Sequence, residues 1–172
     1  SLPEEPLQNA CVGDLSVAEN MALRDFDRPP LCTDSTGLQL LRYGNWRTRA
    51  RAWIAEYGIK TQGETAPIRS LSGGNVQRAV LARELAGDIR VLIAANPVFG
   101  LDFAAVSEIH TRLRQVRDRG AGVLLISEDL DELLSLADRI VVISEGQLVH
   151  ECAAADADRR VLGAFMAGGH DH

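Results

Sequence analysis

The chain has 172 residues, 46% of them hydrophobic, and a formal net charge of −6 with a sequence pI near 5.2. That length buries one sizeable core and is too short for two independent domains of ordinary size. The acidic balance excludes the electrostatic footprint of a nucleic-acid binder or a reader of anionic membrane, both of which cluster Lys and Arg, whereas Lys60 is the one lysine here.

Cys11, Cys32 and Cys152 are odd in number, widely spaced and outside any CxxC, which argues against a disulfide framework or a zinc site and for a reduced cytosolic setting. No apolar run approaches the roughly 20 residues that a spanning helix needs. The opening Ser1-Leu2-Pro3-Glu4-Glu5 has neither the basic start nor the apolar stretch of a signal peptide. The expectation is a protein that is soluble or reaches a membrane through a partner.

Residues 1–15, punctuated by Pro3, Pro6 and Gly13, read as loop. Ser16 with Glu19 forms a capping box that starts a short helix running to about Leu23. Residues 24–37, with Pro29-Pro30 and Gly37, return to loop. Ala50, Trp53, Ile54 and Tyr57 share one face of a helix expected from Thr48 to Tyr57, with Gly58 placed to end it. The arginines Arg47, Arg49 and Arg51 alternate too tightly for one helical face and read as solvated surface.

After Pro67 the pattern becomes regular. Val91–Ala95, Val123–Ile126 and Ile140–Ile143 are continuous apolar runs without polar alternation, as strands buried on both faces of a parallel sheet should be. Between the first two lies a helix with Val106, Ile109, Leu113 and Val116 inward, capped by Asp102 and closed by Gly120. Between the second and third, Asp129 and Glu132 form a second capping box ahead of Leu133, Leu134 and Ala137. The order strand, helix, strand, helix, strand predicts two right-handed crossovers. Ser144-Glu145-Gly146-Gln147 predicts a hairpin turn into an edge strand near Leu148–His150, and Val161, Leu162, Phe165 and Met166 a final amphipathic helix.

Leu71-Ser72-Gly73-Gly74-Asn75 stands directly before a helical stretch, Val76 to about Ala86, with Ala79, Val80 and Leu85 for its buried side. Two glycines at a helix entry leave the first amides unobstructed, and those amides with the helix dipole suit a phosphate; Ser72 can cap the helix or donate its hydroxyl to the same anion. Taken alone, the tetrapeptide is also compatible with a mere loop and N-cap. Its context narrows the choice.

An apolar strand, Asn96-Pro97, Gly100-Leu101-Asp102 opening a helix, a second strand ending Ser127-Glu128-Asp129, and ADRIVVISEGQLV follow in order. This succession resembles the ABC ATPase family, and Asn75 after the glycine pair resembles the sugar and nucleoside importers that fuse two cassettes in one chain. The likeness runs from Leu2-Pro3-Glu4, at the family's Q-loop, through Asp14-Leu15-Ser16-Val17-Ala18-Glu19-Asn20, to Met166-Ala167-Gly168-Gly169. It implies an α/β fold: part of a P-loop NTPase (RecA-like) core with parallel strands flanked by helices, plus the ABC α-helical subdomain. The implied divisions are a Q-loop region at 1–9, the helical subdomain at 10–85 ending in the signature helix, and the distal half of the core at 86–172.

In that family the signature of one cassette closes over nucleotide held by the P-loop of another. The resemblance therefore implies that Ser72, Gly73, Gly74 and Asn75 contact ATP bound elsewhere, that Gln77, which with Arg78 matches the usual polar pair, belongs to the same nucleotide site, and that Asp102, at the D-loop, joins it across the cassette interface. Four departures follow. No GxxxxGKS/T occurs, so the missing part is expected upstream and the chain is expected to be a fragment. Ala95 and Asn96 stand where the family has its magnesium-holding aspartate and its glutamate base, Glu128 stands at the switch histidine, and Glu4 at the Q-loop glutamine. Alanine holds no cation, and an amide does not take a proton from water at neutral pH.

The implied protein is the ATPase component of a sugar or nucleoside importer, with ATP and magnesium in the full assembly and none bound to this fragment. Its partners are a second cassette, two permease subunits and, indirectly, a solute-binding protein, on the cytoplasmic face of the plasma membrane. Self-association through surface left bare by the missing half is a further expectation. The rival reading is a non-catalytic interaction or regulatory module of cassette ancestry. Trp46 and Trp53 fit either permease anchors or core. His110 reads as a surface or half-buried side chain, and His170 and His172 as a frayed tail.

Overall fold

The structure, a computed structural model, describes residues 1–33 and 40–168; the end of the loop expected over 24–37, and Gly169, His170 and His172, lie outside the described residues. The chain divides into two units, Ser1–Leu124 and the part from Leu125 onward.

In the first unit the opening stretch is more than loop. Leu2, 1% exposed, makes a parallel bridge to Ala94. Its N–H donates to Ile93 O and its carbonyl accepts from Ala95 N, both at 2.8 Å. A one-turn helix, α1 (Pro6–Asn9), follows. So short a segment has no periodicity to read, and its strand partner is distant in sequence.

The capping box at Ser16 is present: Glu19 N donates to Ser16 Oγ at 3.2 Å and Ser16 N donates to Glu19 Oε2 at 2.8 Å. It opens α2 (Val17–Ala22). The next helix, α3 (Tyr43–Glu56), starts at Tyr43 and not at Thr48. Trp46 accounts for the difference, because its ring lies in a buried cluster with Ala22 and Leu31 and its N–H donates to Leu31 O at 2.9 Å. Trp46 is therefore core, while Trp53 is half-buried beneath Arg49, whose guanidinium stands 4.4 Å from the ring centre. Arg49 is not merely solvated. It grips Asp25 at 2.5 and 2.9 Å and reaches Met21 O at 3.1 Å, tying α3 to the end of α2.

The next helix, α4 (Gly73–Glu84), is buried along nearly all of its length beyond the first turn. Val76, Ala79 and Val80 are inward as expected, and so are Gln77, Arg83 and Glu84. Charges at that depth need partners. Arg83 Nε donates to Glu84 Oε1 at 2.9 Å, and its Nη1 donates to Ala10 O at 2.8 Å and to Asn20 O at 3.2 Å. Arg24 pairs with Glu84 from the other side. The end of α4 is thereby latched to α2 and to the segment after α1.

Strands β1 (Val91–Ala95) and β2 (Gly122–Ile126) pair. Gly122 N donates to Arg90 O at 2.9 Å, start against start, as in a parallel pair. They are joined by α5 (Phe103–Asp118), where Asp102 caps by accepting from Ala105 N at 2.9 Å and Ile109, Leu113 and Val116 are buried. The strands are not buried on both faces. Leu92 and Ala94 are inward, but Val91 is 68% and Ile93 43% exposed, and Leu124 and Ile126 of β2 are 54% and 51% exposed. Their composition suits two covered faces, and the described residues cover one.

In the second unit Asp129 caps α6 (Leu130–Leu136), accepting from Asp131 N at 2.9 Å and Glu132 N at 3.3 Å. Strands β3 (Arg139–Ser144) and β4 (Gln147–Ala153) form an antiparallel hairpin. Glu145 and Gly146, at φ 49° and 77°, make its turn, a two-residue connection that needs left-handed backbone at both positions. The third apolar run thus pairs with β4 and does not extend a parallel series, since so tight a turn makes the next strand its neighbour. The last helix, α7 (Arg159–Met166), buries Leu162 against Ile140 and Val142 with Phe165 beside them. Val161 and Met166, expected on the same face, are 42% and 43% exposed.

Two outcomes follow from this packing. Arg83 and Arg24 flank the buried Glu84 carboxylate, and their charges offset the cost of placing it at that depth. In urea denaturation Glu84→Gln should cost about 3 kcal/mol at neutral pH, because it leaves the buried Arg83 without its carboxylate partner. The exposed strand faces should also make the chain self-associate. Sedimentation velocity is expected to resolve concentration-dependent species that Val91→Thr with Ile93→Thr diminishes, and a wild type monomeric at all concentrations would contradict this.

Candidate functional site

The start of α4 is the one part of that helix turned outward. Ser72 and Gly73 are exposed and Gly74 is half-buried, whereas the residues after them are mostly inward. Asn75 N and Val76 N both donate to Ser72 O at 2.9 Å, while the amides of Gly73 and Gly74 donate to nothing among the described residues. Ser72 is the N-cap by backbone shape, yet its side chain accepts no amide of the helix.

The fold itself does not ask for glycine here. Neither Gly73 nor Gly74 has a positive φ. A Cβ on Gly73 would meet nothing within 4 Å, and one on Gly74 would make an ordinary 3.6 Å contact with Leu101 Cδ2. Glycine at such a position weakens a helix, so its use points to something outside the chain that must approach the backbone closely.

Two neighbouring segments fix this turn. On one side Lys60 N donates to Asn75 Oδ1 at 2.7 Å, and Asn75 Nδ2 donates to Ser72 Oγ at 2.8 Å. On the other, Gln77 Nε2 donates to Pro97 O at 2.8 Å, and Leu101 lies against Gly74. Gln77 Oε1 is buried without a hydrogen-bond partner among the described residues. Arg78 joins Glu108 of α5 at 2.9 Å. The inward roles of Asn75 and Gln77 and the contribution of Lys60 were not readable from the sequence, where all that marked these positions was polar residues in a mainly buried helix.

The other family positions lie on other segments. Ala95 ends β1, and Asn96 follows it in the left-handed region at φ 42°. Asp102 spends one carboxylate oxygen on its own helix cap and is otherwise exposed. Glu4 is exposed, with its carbonyl accepting from Asn9 Nδ2 at 2.7 Å. Glu128 is exposed and follows β2 in the second unit.

Near the far end of α4 an open cleft of about 390 Å³ is lined by Cys11, Arg24, Arg83 and Glu84 among others. Its arginines are engaged with Glu84, and burial, opposed by Arg83, pushes the Cys11 thiol up to about 11, so it is no nucleophile at neutral pH. Among the described residues no cluster of three His, Cys, Asp or Glu side chains is arranged to hold a metal, and no helix is long and apolar enough to cross a membrane.

Paired parallel strands, a crossover helix and a glycine-opened helix beside a helical layer define part of an ATP-binding cassette fold. The dimeric ABC transporter cassette MJ0796 superposes with a TM-score of 0.67 at 21% identity over 86% of this chain and 60% of that one. Its post-hydrolysis dimer bound to ADP and phosphate gives 0.65 over 83% and 58%. No family profile matches.

Curated relatives specify the branch. The glucose import ATP-binding protein TsgD13 of Haloferax volcanii is 38% identical over 172 residues, 99% of this chain and 30% of its own length. The nucleoside import ATP-binding protein NupA of Lactococcus lactis is 38% identical over 98% of this chain and 33% of its own, and the guanosine import protein NupO of Bacillus subtilis 36% over 97% and 32%. The chain is homologous, over nearly all its residues, to ATP-binding proteins of ABC sugar and nucleoside importers, and it spans about a third of their length.

Because no contact within the chain requires glycine at position 73, Gly73→Ala should raise the stability of the isolated chain by up to about 1 kcal/mol. Thermal unfolding checks this, and a lowered midpoint would show that the turn has a steric need that the geometry lacks.

Proposed function

We propose that the chain is the signature-bearing part of an ATP-binding subunit of an importer for a simple sugar or nucleoside, and that it lends the Ser72–Asn75 turn to ATP held by a partner cassette. The observation that carries this reading is the bare helix start: two unbonded amides, Gly73 and Gly74, the first over open space, with the exposed Ser72 hydroxyl beside them. Aligned with the helix dipole, these donors suit a phosphate. The names of the curated relatives supply the direction, import, and the solute class.

The chain's own catalytic positions are read as degenerate. Ala95 has no side-chain atom with which to help hold magnesium, so the side chains present do not fit that ion. Asn96 can position water but not accept its proton, and its left-handed backbone suits asparagine better than glutamate. Glu128 would set an anion beside a triphosphate. On this reading the subunit is asymmetric: its donors complete a competent site elsewhere while its own site is slow or silent.

The full assembly then comprises a partner cassette, two permease subunits and a solute-binding protein at the inner face of the plasma membrane, with ATP and magnesium as cofactors. Residues 10–85 form the helical subdomain that moves the permease as the cassettes close. A non-catalytic module of the same ancestry is the alternative, and it leaves the glycine pair without a purpose.

Isothermal calorimetry tests the division of labour. Titrated alone, the chain should bind Mg-ATP more weakly than about 1 mM, because its donors need a phosphate that another cassette holds. Micromolar affinity without a partner would contradict the proposal.

A further inference from the structure

Resting on the signature reading just given, we infer that Asn75 is a positioning residue that makes the Ser72 hydroxyl an outward proton donor, matched to a fully ionised terminal phosphate. A serine hydroxyl has one proton and can either donate or accept toward a given neighbour. Here the choice is fixed by a group that has no choice. The backbone N–H of Lys60 can only donate, and it meets the Asn75 side chain at 2.7 Å, so the atom facing it is Oδ1. The amide orientation follows, and Nδ2 is the atom 2.8 Å from Ser72 Oγ.

Ser72 Oγ therefore accepts on its inner side. Its own proton is directed away from Asn75 and donates to nothing among the described residues. Asn75 is 8% exposed and Ser72 lies at the surface, so the clamp is inside and the proton outside. With the Gly73 and Gly74 amides, the outward side of the turn presents three donors. Asn75 acts through Ser72 and does not itself need to touch the phosphate, since both ends of its amide are engaged within the chain.

The decisive variant is Asn75→Asp. It has nearly the same shape and still accepts from Lys60 N, but toward Ser72 it offers an acceptor, so the hydroxyl proton turns inward. The measurement is equilibrium binding of non-hydrolysable ATP and of ADP to the complete protein assembled with its permease, for Ser72→Ala, Asn75→Asp and the double variant, with unfolding midpoints alongside. Each single variant is expected to weaken ATP binding about tenfold and leave ADP binding unchanged. The double variant should match Ser72→Ala alone, because both changes act through one hydroxyl. Losses that multiply in the double variant would overturn the inference in favour of simple charge repulsion, as would Asn75→Asp binding ATP like the wild type while Ser72→Ala does not. Ser72→Ala indistinguishable from wild type would overturn the signature reading itself, and this inference with it. If Asn75→Asp fails to fold, Asn75→Leu, which releases the hydroxyl from its clamp, is read by the same cycle.

Discussion

The structure depends on one arrangement: a helix whose body is buried and whose first turn is bare. Inside, α4 is held at three levels. Asn75 reaches the Lys60 backbone, Gln77 reaches the Pro97 carbonyl, and the Arg83–Glu84 pair latches its last turn to Ala10 and Asn20. Outside, Ser72, Gly73 and Gly74 present donors with no acceptor among the described residues. A helix terminus attracts an anion only as well as its position is fixed, because a mobile dipole must first be ordered. The buried polar contacts supply that fixing, and the glycines leave the approach open.

The proposed division of labour also bears on the end of β1. On the proposed reading, one cassette face is kept for what it offers a partner while the other has shed the groups for its own chemistry. The backbone there is regular: Ala95 donates its N–H to Leu2 O, and Asn96 occupies a left-handed position that its type tolerates. On that reading a degenerate site and an intact signature are compatible in one chain because their side chains lie on different segments, β1 and α4.

Local chemistry was legible in the sequence wherever a short-range rule applied. Ser16 with Glu19, Asp102 before α5 and the Glu145-Gly146 turn formed as read, and of the box expected at Asp129 the aspartate's cap on α6 is present, since each needs partners within a few residues. The order of motifs carried the family resemblance for the same reason. Features set by distant partners were not legible. Leu2 pairs with Ala94, Trp46 extends α3 toward Leu31, and Arg49 turns inward to Asp25. At the site, side-chain direction was the missing quantity: Asn75 and Gln77 were read as part of the nucleotide site, and the Asn75 amide is engaged at both ends within the chain and the Gln77 amide at its nitrogen. The apolar runs announced strands correctly but overstated how many of their faces the described residues cover.

The central claim is that the Ser72 turn meets a phosphate held by another cassette. An ATP-bound structure of the complete protein with its partner tests it most directly. The account predicts the terminal phosphate oxygens within hydrogen-bond distance, about 3 Å, of Gly73 N, Gly74 N or Ser72 Oγ. A nucleotide bound with those three donors facing solvent or another protein surface would contradict it.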